Sequence, residues 1–215
     1  NTNEVDTNTQ VNNTNSVNTN INTDTNTDLP TDFSVDTSDI DLDNLTGEEE
    51  KLFATNSNNT DTDSDGYSDY NEILAGYDPR QSKKTLLESG LVSEYTLDSG
   101  AKVLYPKTWV AKNAGALHIF DTKKGDFINV TYFENSEKLP PQEWISKNDQ
   151  SQISSEISQT TLINNRPAYK TSDNLKYFIF LDENAKVFVF IYKPSIVTSL
   201  PFITTFQMIV NNLKL

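Results

Sequence analysis

The 215-residue chain contains no cysteine and only one histidine. The absence of cysteine excludes a disulfide framework, thiol catalysis and cysteine-ligated zinc, and one histidine cannot supply a multi-histidine metal site. No run of about 18 apolar residues occurs, so the sequence predicts no transmembrane segment. Basic residues are scarce where acids are dense, because residues 1–80 hold 18 acids against Lys51 and Arg80 alone. We therefore expect no nucleic-acid partner, since phosphate binding needs clustered lysine and arginine.

Composition divides the chain into three zones. The net charge is −14, yet residues 81–215 hold 13 acids and 15 bases and are close to neutral. In residues 1–28, asparagine and threonine occupy 18 of the 28 positions. Such a stretch buries too little apolar surface to offset its ordering entropy, so we predict that residues 1–36 form a disordered Asn/Thr-rich linker or stalk. The acidic residues 37–86 and the apolar-rich residues 90–215 form the other two zones.

Acidic residues recur at alternate positions in residues 61–72, which read DTDSDGYSDYNE. The spacing fits an EF-hand-like calcium loop, in which alternate side chains point inward and supply hard oxygens to the ion. Gly66 at position 6 permits the positive φ of the chain reversal. A short helix is predicted from Tyr70, with Gly76 as its C-terminal stop. The predicted ligands, at positions 1, 3, 5, 7, 9 and 12, are Asp61, Asp63, Asp65, the carbonyl of Tyr67, Asp69 and Glu72.

The same register recurs 22 residues earlier, in residues 39–50, which read DIDLDNLTGEEE. Asn44 replaces glycine at position 6, and asparagine tolerates positive φ better than other non-glycine residues. Gly47 replaces the acid at position 9, where water can substitute. Glu48 and Glu49 are predicted to face solvent, although either could take the place of Glu50 at position 12. The predicted calcium ligands in residues 39–50 are Asp39, Asp41, Asp43, the carbonyl of Leu45 and Glu50.

The stretch LTGEEEKLFATNSNNTDTDSDGYSDYNEILAGYDPRQS resembles the bacterial thrombospondin type 3 repeat family, over residues 39–83. That family carries D-x-D-x-D-G-[LY]-[ST]-D-x-x-E loops, each followed by a short helix and a G-T-D-P-like turn. Here the second turn reads GYDP at residues 76–79, whereas the turn after the first loop has lost its glycine, aspartate and proline. The resemblance implies calcium-dependent rigidity in an extracellular or cell-surface protein. The paired loops also resemble dockerins, which bind a partner protein but usually end their loops in aspartate and continue into a longer helix.

Strand-like runs alternate with turn signals in residues 90–215. Two nearly wholly apolar runs, Tyr177–Leu181 and Val187–Tyr192, are predicted to be central strands covered on both faces. The predicted hairpin turns lie at residues 98–100, 123–125 and 164–166.

Two helices are predicted to pack on these strands. One lies around Gln142–Lys147 after a pair of prolines, with Trp144 facing inward. The other covers Leu200–Asn211, with Ser199 as its N-cap. The sequence therefore predicts the α+β class, as an antiparallel sheet with packed helices.

The order of these elements resembles the PsbP-like family, whose fold is an α-β-α sandwich. Small bacterial members read roughly Y-P-x-x-W, then a tryptophan-bearing helix, G-x-x-A-Y, a pair of long apolar strands and a closing helix. Asn165 stands where glycine is usual. The resemblance implies a fold more than an activity, because such domains commonly serve as non-catalytic binding modules. The matching pieces are residues 105–109 (YPKTW), 141–144 (PQEW), 165–169 (NRPAY) and the tail at 202–213.

The sequence contains no recognisable catalytic motif. His118 lies inside a strand-like run, and there is no G-x-S-x-G elbow, phosphate-binding P-loop or G-x-G-x-x-G. We therefore expect a protein that is not an enzyme. Because the sequence begins at Asn1 and not at methionine, we also expect either a removed leader or anchor or a longer natural protein.

Together these patterns predict a secreted or cell-surface calcium-binding protein. A calcium-rigidified spacer at residues 37–86 presents a PsbP-like α+β domain at residues 90–215, which binds a protein or cell-wall ligand. Two alternatives remain open at this point. The repeats could form a dockerin-like module for calcium-dependent adhesion or assembly, or the C-terminal domain could be a hydrolase to which the repeats are a linker.

Overall fold

The computed structural model describes residues 35–149 and 156–215. The predicted linker at residues 1–36 lies outside the described residues except for its last two positions, Val35 and Asp36. The described residues belong to one compact unit, Ser34–Leu215. Within the described part of the chain, no helix has the length and apolar composition needed to cross a lipid bilayer.

The described residues form five α-helices and nine β-strands. The helices are α1 (Gly47–Phe53), α2 (Asp69–Ala75), α3 (Leu86–Ser89), α4 (Pro141–Asn148) and α5 (Ile203–Asn211). The strands are β1 (Val92–Thr96), β2 (Lys102–Pro106), β3 (Val110–Ala114), β4 (Leu117–Asp121), β5 (Phe127–Glu134), β6 (Ile157–Thr161), β7 (Pro167–Thr171), β8 (Lys176–Leu181) and β9 (Lys186–Lys193).

The strands form two antiparallel sheets. β1 and β2 pair with each other, and the remaining seven strands run in the order β3-β4-β5-β9-β8-β7-β6. Strands pair across each of the three predicted hairpin turns, β1 with β2, β4 with β5 and β6 with β7, so those turns are confirmed. β9 lies at the centre, paired with β5 from Phe127↔Lys193 to Glu134↔Lys186. The helices and antiparallel sheets confirm the predicted α+β class.

Side-chain alternation along the central strands divides the core into two clusters, one on each face of the large sheet. In β9, Phe188 and Phe190 belong to the main cluster, which also contains Phe206 of α5. Val187 of the same strand belongs to the second cluster, with Trp144 of α4. The prediction that the two apolar strands are covered on both faces is therefore confirmed.

Residues of the calcium-loop segment enter the main cluster as well. Leu45, Phe53 and Ile73 are at most 1 % exposed and share this cluster with Phe206 and Ile209 of α5. Helix α2 lies directly against α5. The segment at residues 37–86 is thus packed on the last helix of the chain and shares its core.

The start of α5 differs from the sequence-based prediction. The helix begins at Ile203, so the prediction that it starts at Leu200 with Ser199 as its N-cap is wrong. Phe202 occupies the N-cap position and makes no side-chain capping bond. The physical reason is that Glu49 of α1 supplies the acceptor for a backbone N–H in the first turn of α5.

Two further elements, β3 and α3, are not predicted from the sequence. β3 is an edge strand whose side chains are mostly exposed, so it lacks the apolar alternation of a half-buried strand. α3 has only 4 residues, too few for a helical period to appear. Its recognisable signal is the capping box formed by Thr85 and Glu88.

The glycines that end α2 and α3 provide a matched test of the packing between α2 and α5. Gly76 and Gly90 both adopt left-handed φ values, of 83° and 75°. A Cβ at Gly90 meets nothing, whereas a Cβ at Gly76 collides with the side chain of Asn212. That side chain donates to the carbonyls of Leu74 (3.2 Å) and Met208 (2.9 Å).

We predict that Gly76→Ala lowers the free energy of unfolding more than Gly90→Ala does. Gly90→Ala costs about 1–2 kcal/mol through backbone strain, and Gly76→Ala costs roughly 1 kcal/mol more because Asn212 must give up hydrogen bonds. Urea denaturation of the full chain measures both. Equal losses for the two variants would contradict the contact between α2 and α5.

Candidate metal centres

Three aspartates converge in the loop at residues 61–72, here called the second loop. One carboxylate oxygen from each of Asp61, Asp63 and Asp65 lies within 4.8 Å of the other two. Backbone donors fix the first carboxylate, because the N–H groups of Asp65 and Gly66 donate to Asp61 Oδ1 and Oδ2 (3.3 and 2.9 Å). The N–H of Tyr67 donates to Asp65 Oδ1 (3.1 Å). The positions predicted for the first three metal ligands are therefore brought together.

The loop at residues 39–50, here called the first loop, repeats this arrangement. One carboxylate oxygen from each of Asp39, Asp41 and Asp43 again lies within 4.8 Å of the other two. The N–H groups of Asp43 and Asn44 donate to Asp39 Oδ1 and Oδ2 (3.1 and 3.0 Å), and that of Leu45 donates to Asp43 Oδ1 (2.8 Å). The hydrogen bonds match those of the second loop position for position, as the sequence register predicts.

The backbone of the two loops also turns at matching positions. At position 4, Leu42 and Ser64 have φ values of 65° and 62°. At position 6, Asn44 and Gly66 have φ values of 77° and 99°. Asn44 thus adopts the left-handed conformation predicted for it as the substitute for glycine.

The glutamate at position 12 of each loop is buried beside its aspartates. Glu50 and Glu72 are 5 % and 6 % exposed and lie in the first turns of α1 and α2. The hydroxyls of Thr46 and Ser68 cap these helices and thereby fix where the glutamates project. The converging oxygens come from the aspartates alone, so the roles of Glu50 and Glu72 as position-12 ligands stay predictions.

Several carboxylate oxygens in the two clusters are buried and have no hydrogen-bond partner among the described residues. A buried polar atom without a partner is unfavourable, and an ionised one is more so. The surrounding donor set consists of oxygens alone, which is the set that calcium prefers. The residues therefore fit a hard divalent cation, which would supply the missing partner. The unpartnered atoms are Asp41 Oδ2, Asp43 Oδ2, Asp63 Oδ2 and Glu72 Oε2.

The predicted ligand at position 9 of the second loop, Asp69, does not join the converging oxygens. It is fully buried, and Thr62 donates to it twice, from the N–H to Oδ1 (2.8 Å) and from the hydroxyl to Oδ2 (2.6 Å). Burial raises its pKa, and so do the carboxylates of Asp61 and Asp41, one from each loop. Asp69 thus holds the start of the second loop through Thr62, and its direct contact with a cation stays a prediction.

Position 9 of the first loop shows why Gly47 stands there. A Cβ at Gly47 would collide with the carboxylate of Asp36, which lies outside the loop. Asp36 also pairs with Lys51 of α1 (3.0 Å), and its carbonyl accepts from the N–H of Glu48 (2.9 Å). The loop pattern does not include Asp36, because this residue precedes the periodic aspartates and meets Gly47 and Lys51 only in the folded chain.

The prediction that Glu48 and Glu49 face solvent is wrong. Glu48 is 9 % exposed and lies within ion-pair distance of Lys51 (3.8 Å) and Lys124 (3.6 Å). Glu49 is fully buried and accepts hydrogen bonds from Thr205 at the start of α5. Glu48 and Glu49 therefore bind other parts of the fold through their carboxylates.

Burial and mutual repulsion raise the pKa values of several carboxyls in the two loops. Burial raises the pKa of Glu72 to about 8, with a further contribution from Asp63 and the other acids of its loop. Burial and then Asp41 raise the pKa of Glu50 to about 7. The pKa of Asp43 rises to about 6, again chiefly through burial. Proton binding at these sites competes directly with cation binding.

The two predicted carbonyl ligands remain predictions. Leu45 is 1 % exposed and anchors the first loop in the core, whereas the Tyr67 side chain is 67 % exposed. Their N–H groups both donate to the aspartate at position 5, which fixes the peptide units around them.

The single histidine lies apart from both clusters. His118 is 2 % exposed. Its Nδ1 is 3.2 Å from the Tyr95 hydroxyl, and its Nε2 accepts from the N–H of Asp98 at 3.4 Å. These contacts favour a structural role that joins β4 to the β1–β2 hairpin.

The pH dependence of stability tests the raised pKa values. The folded-state pKa of Glu72 lies at about 8, above its ordinary value of 4.5, so the folded, metal-free chain binds more protons than the unfolded chain between these values. We predict that, without metal, the free energy of unfolding falls as the pH rises through this window. Saturating calcium removes part of the fall, because a bound cation keeps the carboxylates ionised in the folded state.

The measurement is urea denaturation at intervals across that window, in metal-free buffer and in saturating calcium. Glu72→Gln reduces the metal-free slope, whereas Glu183→Gln, an exposed turn residue with an 89 % exposed side chain, leaves it unchanged. A metal-free stability that rises with pH would refute the buried placement of these carboxyls.

Comparison with known proteins adds no second line of evidence. No known protein family and no curated protein matches the chain. The resemblances to thrombospondin type 3 repeats and to PsbP-like domains therefore stay expectations drawn from the sequence.

Proposed function

We propose that the protein binds two calcium ions, one in each loop, and that the ions hold the loop segment in its folded arrangement on the α+β domain. The observation that carries this proposal is the set of buried, unpartnered carboxylate oxygens in the clusters. The first site consists of Asp39, Asp41, Asp43 and Glu50, and the second of Asp61, Asp63, Asp65 and Glu72. The carbonyls of Leu45 and Tyr67 complete the two shells, with Asp69 beside the second.

Calcium is favoured over magnesium by the kind and number of donors. Calcium takes six to eight oxygens in flexible geometry, whereas magnesium demands a compact octahedral shell and keeps several of its waters. Each loop offers three aspartates and one glutamate that can bind through two oxygens, which suits the larger ion. When bound, calcium neutralises the carboxylates and draws them together, so its binding energy becomes folding energy.

The role we propose is structural. Extracellular calcium modules bind with dissociation constants of about 10⁻⁴–10⁻³ M, which suits an environment of constant calcium. We accordingly propose a secreted or cell-surface protein of the thrombospondin type 3 repeat kind. The loop segment is packed against the C-terminal domain and does not act as a separate spacer, because Leu45, Phe53 and Ile73 share the core of that domain.

For the C-terminal domain we propose a PsbP-like, non-catalytic module that binds a protein or cell-wall ligand. The placement of α5 and α4 on opposite faces of the large sheet supports the sandwich architecture. The contacts of His118 support the non-catalytic interpretation, since both ring nitrogens face partners within the fold. A dockerin-like module is less well supported, because part of the surface of α2 packs against α5 of the same chain and is not available to a partner protein.

Calorimetric titration of the full chain with calcium tests the proposal. We expect two ions per chain. Asp43→Asn removes the ion of the first loop and Asp63→Asn that of the second, because each substitution takes one charged ligand from one cluster. The full chain is required, since the loop segment shares its core with α5.

Glu183→Gln serves as the matched control, because it removes one acid from an exposed turn while leaving both clusters intact. It keeps both ions. Absence of calcium binding at concentrations well above the expected range would overturn the proposal. A single ion lost only in Asp63→Asn would limit it to the second loop.

A further inference from the structure

Helix α5 lacks an N-cap of its own. Phe202 occupies the cap position and offers no side-chain acceptor, and α5 has no acidic residue in its first turn. The first backbone N–H groups of a helix have no partner within it, and a side-chain oxygen normally accepts from the second or third of them. The buried start of α5 therefore depends on an acceptor from elsewhere in the chain.

Glu49 of α1 supplies that acceptor across 156 positions of sequence. Its Oε1 accepts from the N–H of Thr205, the third residue of α5, at 2.6 Å, and from the Thr205 hydroxyl at 3.0 Å. Its Oε2 accepts from the backbone N–H of Thr46 (3.3 Å), which completes the capping box of α1. One fully buried carboxylate thus caps two helices.

The same residue adjoins the first metal cluster. Glu49 is next in sequence to Glu50, the position-12 ligand of the first loop, and both lie in the first turn of α1. A cation that fixes Glu50 would restrain the same helical turn that carries Glu49. The cluster of Asp39, Asp41 and Asp43 is therefore linked to α5 through one turn of helix.

Further hydrogen bonds join the loops to the ends of α5. At its start, the Thr204 hydroxyl donates to the carbonyl of Asn44 (2.9 Å), and the Thr46 hydroxyl donates to the carbonyl of Pro201 (2.6 Å). At its end, the Asn212 amide donates to the carbonyl of Leu74 in α2 (3.2 Å). The first loop and the start of α1 are thus hydrogen-bonded to the start of α5, and α2, the helix of the second loop, is hydrogen-bonded to its end.

From this geometry, and resting on the proposed function, we infer that cation binding in the first loop controls the order of α5 in the C-terminal domain, with Glu49 as the positioning residue that connects them. With the cation bound, the first turn of α1 is fixed and Glu49 caps α5. Without it, repulsion among the aspartates loosens α1 and the cap is lost. The second loop acts on the far end of α5 and leaves the cap unaffected.

Amide hydrogen exchange of the full chain, with and without saturating calcium, tests this inference. We expect the Thr205 amide to exchange at least about fivefold more slowly with calcium, the factor that one helix cap typically contributes. Amides of β8 and β9, which lie in the centre of the large sheet, serve as the internal reference for global unfolding. Asp43→Asn abolishes the response at Thr205, whereas Asp63→Asn leaves it in place.

Substitutions in the first turn of α1 distinguish loss of the coupling between the first loop and α5 from general destabilisation of the fold. Glu49→Ala removes the acceptor, so calcium binds but no longer slows exchange at Thr205. Glu49→Gln keeps a side-chain carbonyl as acceptor and restores part of the response. Glu48→Ala is the matched control, because its carboxylate pairs with Lys51 and Lys124 and makes no contact with α5 among the described hydrogen bonds; it keeps the full response.

The failure of this inference differs from failure of the proposed function. If calorimetry detects both ions but calcium leaves exchange at Thr205 unchanged, the coupling is wrong and the calcium sites stand. A full response in Glu49→Ala would likewise overturn the role of Glu49. Absence of calcium binding in calorimetry would instead remove the proposed function and this inference with it.

Discussion

Repulsion among clustered carboxylates is the constraint on which the rest of this structure depends. Each loop gathers three aspartates, with a buried glutamate in the helix that follows. Backbone N–H groups fix part of this arrangement but leave several carboxylate oxygens buried and unpartnered. Burial, with a further contribution from the neighbouring carboxylates, raises the pKa values of Glu50 and Glu72 to about 7 and 8, so the metal-free chain lowers its charge here by binding protons. A divalent cation relieves the repulsion more completely and keeps the charges in place.

The charge of the two loops also affects the rest of the fold, because the loop segment packs against α5. Leu45, Phe53 and Ile73 lie in the same core as α5, so the loop segment is part of the α+β unit. Glu49 connects the two most directly, because it caps α1 and α5 with one carboxylate. In the proposed function, calcium bound to this segment stabilises the domain that the segment contacts, in contrast to a spacer that only sets a distance between domains.

The sequence alone predicts the features that depend on the spacing of neighbouring residues. Asp61, Asp63 and Asp65 converge because alternate residues of a short loop point the same way, and Asn44 adopts positive φ because the backbone demands it. Prediction from the sequence fails where a distant partner decides the outcome. Glu49 is buried because Thr205 lies against it, Asp69 is held by Thr62, and α5 starts at Ile203 because its cap comes from α1. These contacts cannot be predicted from the pattern of residues in a short stretch of sequence.

X-ray diffraction from crystals of the full chain grown in calcium, recorded so that the anomalous signal of calcium is measured, tests the central claim most directly. The account predicts two anomalous peaks. One lies within ligand distance of Asp41, Asp43 and Glu50, and the other within ligand distance of Asp63 and Glu72. A calcium-containing crystal with no peak at either cluster, and with the same carboxylates hydrogen-bonded to waters alone, would contradict it.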